Sequence, residues 1–297
     1  MESQKPVLLI LAAGMGSRYG GLKQMDGFGP SGETIIDYSI YDALKVGFEK
    51  IVFVIRNSFA AEFKDRVNAH WAGKVELEFV NQELDRLPES FVCPPDRVKP
   101  WGTGHAVWVS KDAIHGPFGV INADDFYGRN AMQVLFDFLS SGSKNYAVVA
   151  YPLINTLSDY GAVNRGICKI SPGNKLISIL ECKNINKQPE IYFEHNDHKH
   201  FLNPDTPVSM NMWGFQSNYF VWANTFFNNF LKKNLTNSGA EFYIPELIQD
   251  LIDTHKTEVD VLHSSSSWIG VTYKEDKPMV EKAFNDMIQA GIYPEKL

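Results

Sequence analysis

Leu9-Ile-Leu-Ala-Ala-Gly-Met-Gly-Ser-Arg18, continued by Tyr19-Gly-Gly-Leu-Lys-Gln24, is the most informative segment of this chain. An apolar strand here gives way to a glycine-rich loop that carries two cations, Arg18 and Lys23. Backbone N–H groups of such a loop can lie against phosphate oxygens while the two cations neutralise the phosphate charge. The segment therefore predicts a loop that binds a triphosphate.

Two better-known phosphate motifs do not match this loop. The dinucleotide fingerprint G-x-G-x-x-G needs glycine where Tyr19 stands, and no acidic residue closes the next predicted strand at Ile51–Arg56. The Walker pattern fails because Leu22-Lys23-Gln24 contains neither the Gly-Lys step nor the Ser or Thr that holds magnesium. A plain strand-to-helix turn with positive-φ glycines is the structural alternative, but such a turn has no use for Arg18 and Lys23 together.

The loop resembles the signature of the sugar-phosphate nucleotidylyltransferases, L-A-(A/G)-G-x-G-(T/S)-R followed by a lysine. It departs from that signature at Ser17, where Thr is commoner, and at Gly21-Leu22, where a proline usually precedes the lysine. The Lys23-Gln24 pair is also similar to the related cytidylyltransferases of isoprenoid synthesis. The resemblance implies that Arg18 binds the β- and γ-phosphates and that Lys23 acts at the α-phosphate. It also implies nucleotide contacts from Leu11, Ala12, Ala13, Gly14 and Gly16.

Length and composition set broader bounds. The 297 residues predict one large domain with an embedded lobe. The resemblance implies that this domain has a nucleotide-binding half (1–145) and a sugar-phosphate-binding half (146–297). A net charge of −7 offers no basic face, which argues against nucleic acid as a partner. Three cysteines without C-x-x-C spacing and the lack of a long apolar run predict a cytoplasmic protein with no membrane partner.

Alternating strand-like and helix-like stretches predict an α/β fold with helices on both faces of a sheet. With the resemblance, the expected fold is a Rossmann-like α/β/α sandwich with a mixed sheet. The predicted strands are Val7–Leu11, Lys50–Ile55, Val75–Asn81, Phe118–Asn122, Tyr146–Pro152, Ala162–Ile170, Leu176–Cys182, Val208–Gln216 and Glu258–His263. The predicted helices are Ile35–Val46, Ala60–Trp71, Thr103–Ala113, Ala131–Ser140, Tyr219–Lys232, Pro245–Thr254 and Glu275–Ala290. Two long irregular stretches, Leu84–Pro100 and Asn186–Pro207, are lids or surface loops.

A second motif joins Gln82, at the end of a predicted strand, to Trp101-Gly-Thr-Gly-His-Ala106 at the start of a predicted helix. Small residues let a planar base approach the backbone, and a glutamine amide supplies both a donor and an acceptor. The run resembles the pyrimidine-contacting stretch of the family, with Gln82, Gly102 and Thr103 as nucleotide contacts. The plainer alternative is a helix start capped by Thr103.

A third motif, Val120-Ile-Asn-Ala-Asp-Asp125, ends an apolar strand in two carboxylates at the edge where open α/β sheets bind ligands. Such oxygen ligands suit Mg²⁺, which also bridges substrate phosphates. Asp124 matches the metal aspartate of the family, and Asp125 alternatively caps the segment that follows. Relatives place a second ligand near the position of Gly270 or Thr272, where this chain has neither Asp nor Asn.

Three residues outline an acceptor site by resemblance. Gly161, Glu181 and Asn211 occur in the order of the sugar-contacting glycine, glutamate and asparagine of the family. Taken singly, they are equally consistent with a turn, a solvated strand end and a loop cap. Together they favour a sugar phosphate, because a carboxylate can accept hydrogen bonds from neighbouring hydroxyls of a hexose.

These motifs imply an Mg²⁺-dependent enzyme that joins a nucleoside triphosphate, UTP or dTTP, to a sugar 1-phosphate and releases pyrophosphate. Three alternatives stay open. One is a cytidylyltransferase acting on a non-sugar phosphate such as phosphocholine or an erythritol phosphate. A second is a glycosyltransferase, which would not need the Arg18 and Lys23 loop. The third is a nucleotide-binding protein without turnover.

Overall fold

The computed structural model describes residues 4–14, 25–187, 190–195, 198–271 and 273–297. The strands are β1 (Val7–Leu11), β2 (Lys50–Ile55), β3 (Glu76–Asn81), β4 (Phe118–Asn122), β5 (Asp125–Phe126), β6 (Tyr146–Pro152), β7 (Val163–Ile170), β8 (Leu176–Ile185), β9 (Tyr192–His195), β10 (His198–Phe201), β11 (Pro207–Phe215), β12 (Val259–His263) and β13 (Ile269–Gly270). The helices are α1 (Ile35–Val46), α2 (Ala60–Trp71), α3 (Thr103–Trp108), α4 (Arg129–Ser140), α5 (Tyr219–Asn234), α6 (Ile244–Asp253) and α7 (Lys277–Gln289).

The central sheet is mixed, with strand order β12-β6-β11-β4-β1-β2-β3 and with β7 and β8 branching from β11. The neighbours β4-β1-β2-β3 run parallel, and β12 runs parallel to β6. Strand β11 runs antiparallel to β4, β6 and β7. The expected Rossmann-like α/β/α sandwich with a mixed sheet is confirmed.

Helices cover both faces of this sheet because successive strand residues point to opposite sides. On one face, Leu9 and Val54 pack in a core with α3, α5 and α6. On the other face, Leu8 and Phe53 pack in a core with α1, α2 and α4. Strands buried on both faces are almost continuously apolar, as the sequence of β1 and β2 shows.

Helix α7 closes the end of the molecule against α1. Tyr38 of α1 stacks on Phe284 of α7, with ring centroids 4.0 Å apart. Beside them the buried Asp42 accepts hydrogen bonds from Arg129 Nε over 2.9 Å and from the Tyr293 hydroxyl over 2.6 Å. This pairing satisfies a carboxylate that would otherwise be costly to bury.

Most predicted elements are confirmed, and six have identical bounds in the structure, including Val7–Leu11 and Ile35–Val46. The helix predicted over Thr103–Ala113 is too long, because α3 ends at Trp108. Beyond it the chain tightens into turns, and the Ser110 hydroxyl donates to the Val107 carbonyl over 2.7 Å. Side-chain bonds of this kind compete with helix continuation.

The stretch Asn186–Pro207, predicted to be irregular, contains the antiparallel hairpin β9-β10. The other irregular stretch, Leu84–Pro100, is anchored rather than loose. The buried Arg97 donates to Asn237 O over 3.0 Å and to Ala240 O over 2.6 Å, and its guanidinium lies 3.4 Å from the ring centroid of Trp101.

None of the helices in the described residues combines the length and the apolar composition that crossing a membrane requires.

Candidate active site

The parallel strands bring the end of β1 next to the ends of β2 and β4. Leu11 pairs with Val54 on one side and with Asn122 on the other. Ala12 N donates to Val54 O over 2.8 Å, and Ala123 N donates to Leu11 O over 3.0 Å. The chain leaving β1 therefore runs beside the chain leaving β4, at the sheet edge where α/β proteins bind ligands.

Residues 11–14 stand at this edge as the sequence predicts for the first part of the phosphate loop. Ala12 and Ala13 are buried, whereas Gly14 is exposed and a side chain there would meet open space. The remaining predicted residues of the loop, Gly16, Arg18 and Lys23, lie outside the described residues. Their roles in binding phosphate stay predictions.

Gln82 continues the same edge past β3, because its N–H donates to Ile55 O over 2.8 Å. Its side chain turns toward the start of α3, where Nε2 donates to Gly102 O over 3.0 Å and lies 3.2 Å from His105 Nδ1. His105 Nε2 in turn lies 2.7 Å from Arg86 O. The structure thus brings Gln82 and Gly102 together, as the second motif predicts.

Gly102 and Thr103 also have packing roles against the segment that leads into α6. Gly102 has φ +101°, and a Cβ there would overlap the carbonyl oxygen of Phe242. The prediction that Thr103 caps the helix is wrong, since Gly102 occupies the N-cap position. Thr103 Oγ1 instead accepts a hydrogen bond from Ile244 N over 3.3 Å. These contacts tie the base-contacting motif to α6.

The two carboxylates after β4 occupy different environments. Asp125 is buried, and its Oδ2 accepts from Asn122 Nδ2 over 2.8 Å and lies 3.3 Å from the Tyr127 hydroxyl. Asp125 does not cap the next helix, because the N-cap of α4 is Gly128. Asp124 is only half buried at the sheet edge. Asp125 is therefore a structural group, and Asp124 is the candidate metal ligand.

The chain near Gly270 reaches this site but brings no ligand at that position. Gly270 pairs with Asp125 between β13 and β5, which brings this segment beside the two carboxylates. A Cβ on Gly270 would overlap the indole ring of Trp268, which lies in the space that an Asp or Asn side chain would need. Thr272 lies outside the described residues. Within the described residues, no group of three or more His, Cys, Asp or Glu side chains could hold a metal ion.

The donor chemistry still suits one kind of metal binding. Mg²⁺ keeps several waters and is commonly held by one or two carboxylates together with substrate phosphates. Asp124 supplies one such carboxylate beside the predicted phosphate loop. The residues fit an ion that arrives with the nucleotide, rather than a cage made by the protein alone.

Asn211 lies at an irregularity of β11, where the pairing with β6 shifts register between Ser209 and Trp213. Its φ of +62° is one that asparagine tolerates better than most residues. Asn211 Nδ2 donates to Asn122 Oδ1 over 2.7 Å, and Asn211 Oδ1 accepts from Trp213 Nε1 over 3.0 Å. The irregularity thus holds the Asn211 side chain against the end of β4.

Glu181 lies within strand β8 rather than at a strand end. It pairs with Gly166 of β7, which pairs with Ser209 of β11, so the three lie in a row across the sheet. The Glu181 side chain lines an open groove with Lys183 of β8 and residues at the start of α6. Desolvation in this groove raises the pKa of the Glu181 carboxyl, against the opposing attraction of Arg165 and Lys183.

Gly161 precedes β7 and lies against Tyr273, whose hydroxyl donates to Ala162 O over 2.9 Å. A Cβ on Gly161 would touch the Tyr273 ring. Gly161 is therefore required for close packing of the chain there. Its contact with a sugar stays a prediction.

The sequence motifs did not single out three residues that the structure places in or behind the site. Asn122 bonds to both Asp125 and Asn211. His105 bonds to Gln82, and Lys183 lines the groove with Glu181. A polar residue closing the otherwise apolar strand Phe118–Asn122 was the signal available for Asn122.

Comparison with solved structures shows the same fold over nearly the whole chain. The inositol-1-phosphate CTP transferase from T. maritima has a TM-score of 0.64 at 13% identity, covering 97% of this chain and 98% of that one. A putative glucose-1-phosphate thymidylyltransferase from Bacillus anthracis has a TM-score of 0.64 at 14% identity, covering 94% and 95%. A UDP-glucose pyrophosphorylase has a TM-score of 0.62 at 14% identity, covering 95% and 99%.

No curated protein matches this chain. The family model described as nucleotidyl transferase matches residues 7–272, which include the loop after β1, Gln82, Asp124 and Asn211. The match spans the sheet edge and both halves of the chain, and the resemblance seen in the sequence motifs is confirmed. This chain belongs to the nucleotidyl transferase family.

Proposed function

We propose that this nucleotidyltransferase joins a nucleoside triphosphate, UTP or dTTP, to a sugar 1-phosphate and releases pyrophosphate. The observation that carries the proposal is the convergence on one sheet edge of the chain leaving β1, the Gln82–Gly102 pair and Asp124. Binding a metal–nucleotide complex requires three elements: a loop for the phosphates, an amide that contacts the base, and a carboxylate for the metal. The half of the chain beyond β6 then supplies the acceptor site.

The reaction is a displacement at the α-phosphorus. An oxygen of the sugar 1-phosphate attacks in line, a new P–O bond forms, and the bond to pyrophosphate breaks. The attacking phosphate is already ionised at pH 7, so the step needs neither a covalent nucleophile nor a general base. Bringing two polyanions together against their repulsion is most of the catalysis.

Each part of this chain has a distinct role in that step. Arg18 holds the β- and γ-phosphates and Lys23 acts at the α-phosphate, as the family resemblance implies. Asp124 would hold Mg²⁺, which would supply positive charge against the phosphates. Gln82, with Gly102 and Thr103, contacts the base, and the resemblance implies further nucleotide contacts from Leu11, Ala12, Ala13, Gly14 and Gly16.

The acceptor site includes Gly161, Glu181 and Asn211, with Lys183 as a further contact. Glu181 accepts hydrogen bonds from sugar hydroxyls, and Lys183 supplies positive charge in the same groove. The position of Asn211 is supported by its bond to Asn122, at the end of the strand that leads to Asp124. Phosphate and sugar would then lie between β4 and β8.

A second candidate is a cytidylyltransferase acting on phosphocholine, and the chemistry of the same groove favours it. Glu181 and Glu246 line the groove beside the rings of Phe226 and Tyr243. Carboxylates and aromatic rings together bind quaternary ammonium groups. The inositol-1-phosphate CTP transferase with the same fold adds a cyclitol phosphate to the acceptors worth testing.

The test is pyrophosphate release from the wild-type protein with Mg²⁺. UTP, dTTP and CTP are each combined with glucose 1-phosphate, N-acetylglucosamine 1-phosphate, inositol 1-phosphate and phosphocholine. The proposal expects release with UTP or dTTP plus a sugar 1-phosphate, and about 100-fold less with Asp124→Asn. Release only with CTP and phosphocholine or inositol 1-phosphate would contradict it.

A further inference from the structure

His105 is fully buried, and its two ring nitrogens face different partners. Nε2 lies 2.7 Å from Arg86 O, which can only accept, so Nε2 carries the hydrogen. Burial lowers the pKa of His105 to about 4, and the ring is therefore neutral at pH 7. In a neutral ring with its hydrogen on Nε2, Nδ1 presents a lone pair.

The amide of Gln82 faces this lone pair. Its Nε2 lies 3.0 Å from Gly102 O and 3.2 Å from His105 Nδ1, and both of these atoms accept. Both amide hydrogens are thereby used. Reversing the amide would place Gln82 Oε1 against Gly102 O and His105 Nδ1, which both accept, and neither would then have a donor. These two acceptors together therefore fix the orientation of the amide.

This orientation leaves one polar atom of Gln82 to meet a ligand. Within the described part of the chain no donor is bonded to Gln82 Oε1, and the atom is not fully buried. An oxygen held in this way only accepts hydrogen bonds. The ligand group opposite it must therefore donate.

We propose that His105 is a positioning residue for base selection: it holds Gln82 with Oε1 toward N3 of the nucleobase, so that the site favours uracil or thymine, whose N3–H donates, over cytosine, whose N3 has a lone pair and whose only donor on that edge is the N4 amino group. This inference rests on the proposed function, since it needs a nucleotide base at Gln82. It deepens that function by assigning the choice between UTP or dTTP and CTP. His105 acts through Gln82 and does not touch the substrate.

A purely structural role for His105 makes a different prediction. The ring stacks on Trp108 at a centroid distance of 5.9 Å and packs on Phe227 at 5.1 Å. If packing were its whole role, replacing the ring would lower the activity toward all nucleotides alike. Only the positioning role ties base preference to an acceptor at the place of Nδ1.

Two substitutions separate these roles. His105→Asn places Oδ1 near the position of Nδ1 and so keeps an acceptor for Gln82, while losing the donor to Arg86 O. His105→Gln reaches the position of Nε2 and keeps that donor, while losing the acceptor. Both substitutions remove the ring, so each is the packing control for the other, and thermal unfolding shows whether both variants fold.

The measurement is kcat/KM for UTP, dTTP and CTP with the best acceptor. We expect wild type to prefer UTP or dTTP to CTP, and His105→Asn to keep that ratio within about threefold. His105→Gln should lower the ratio by about tenfold or more, mainly through a higher KM for UTP, because one hydrogen bond is worth about that factor. Equal losses with all nucleotides in both variants, or a wild type that prefers CTP, would overturn the inference.

A substrate-free readout separates this inference from the proposed function. In ¹⁵N NMR spectra of the wild-type protein at pH 7, His105 should show a protonated Nε2 and an unprotonated Nδ1. The opposite tautomer overturns the inference even if the enzyme is active. If no nucleotide gives pyrophosphate release, both the proposed function and the base selection are overturned. The tautomer of His105 then shows only how the Gln82 amide is oriented.

Discussion

The side chains of Asn211 and Asn122 are joined by a hydrogen bond of 2.7 Å between Nδ2 and Oδ1. Asn122 is bonded in turn to Asp125, because its own Nδ2 donates to Asp125 Oδ2 over 2.8 Å. A strand of the second half is thus fixed to the segment that carries the candidate metal ligand, Asp124. Under the proposed function, we expect the relative placement of acceptor and nucleotide to depend on this connection.

Removing the Asn211 side chain should impair acceptor use more than nucleotide use. Asn211→Gly tolerates the φ of +62° but leaves Asn122 Oδ1 and Trp213 Nε1 without their partner. We expect kcat/KM for the acceptor to fall by about tenfold or more, with KM for the nucleotide changed by less than about threefold.

Asn211→Ala is the comparison, because alanine adds backbone strain of about 1 kcal/mol at positive φ to the same loss of hydrogen bonds. Urea unfolding should rank Asn211→Ala below Asn211→Gly in the free energy of unfolding. Unchanged acceptor kinetics in both variants would contradict a role for this connection in placing the acceptor.

Gly102 should be far less tolerant of a side chain than a glycine that has positive φ and open space around it. Gly102→Ala adds the φ penalty at +101° and an overlap with the Phe242 carbonyl oxygen. Gly142→Ala is the control for a positive φ in open space, because Gly142 has φ +77° and nothing near a Cβ, whereas Gly102 combines its φ with an extended ψ of −180° that is essentially restricted to glycine. We expect the control to cost about 1 kcal/mol in urea unfolding and Gly102→Ala at least about 2 kcal/mol more. Equal costs would show that neither the backbone conformation of Gly102 nor its contact with Phe242 limits the side chain there.

The buried His105 should make the protein less stable as the pH falls. The pKa of His105 is about 4 in the folded chain, against about 6.5 for an unperturbed histidine. Between these values the unfolded chain binds the extra proton, so the free energy of unfolding decreases as the pH drops from 7 toward 4. Going from pH 7 to pH 5 should cost wild type about 2 kcal/mol through this residue.

His105→Asn cannot titrate at that position and is the reference. Urea unfolding at pH 7 and pH 5 should show a larger loss for wild type than for this variant, while the other titrating groups affect both alike. Equal losses in the two proteins would mean that His105 is not held neutral by burial.

Arg18 and Lys23 should each be needed for turnover. Arg18→Ala or Lys23→Ala removes a charge that the family resemblance assigns to the triphosphate, and should lower kcat by about 100-fold or more. Lys282→Ala is the control, because Lys282 is an exposed residue of α7 that pairs with Asp286 within the same helix. Full pyrophosphate release by either loop variant would contradict the assignment.

The sequence predicts the α/β fold well because its strongest signals are local. Continuous apolar runs such as Lys50–Ile55, and helices that begin and end at clear signals, such as the Gly47 cap of α1, need no knowledge of distant residues. The short strands β5 and β13 lack such signals. Two residues each are ordered by pairing across more than 140 positions of sequence.

The site is predicted in part for the same reason. Gln82, Gly102 and Asp124 stand out because each closes a strand or opens a helix. The roles of Asn122 and His105 depend on which residues the fold brings to them, Asn211 and Gln82. The sequence likewise gives no sign that Trp268 would overlap a side chain at Gly270.

A crystal structure of the protein with UTP and Mg²⁺ tests the central claim most directly. The account predicts the uracil edge against Gln82 Oε1 near Gly102, the triphosphate along residues 14–23, and the metal ion between the phosphates and Asp124. A nucleotide bound at another surface, or a base turned away from Gln82, would contradict it.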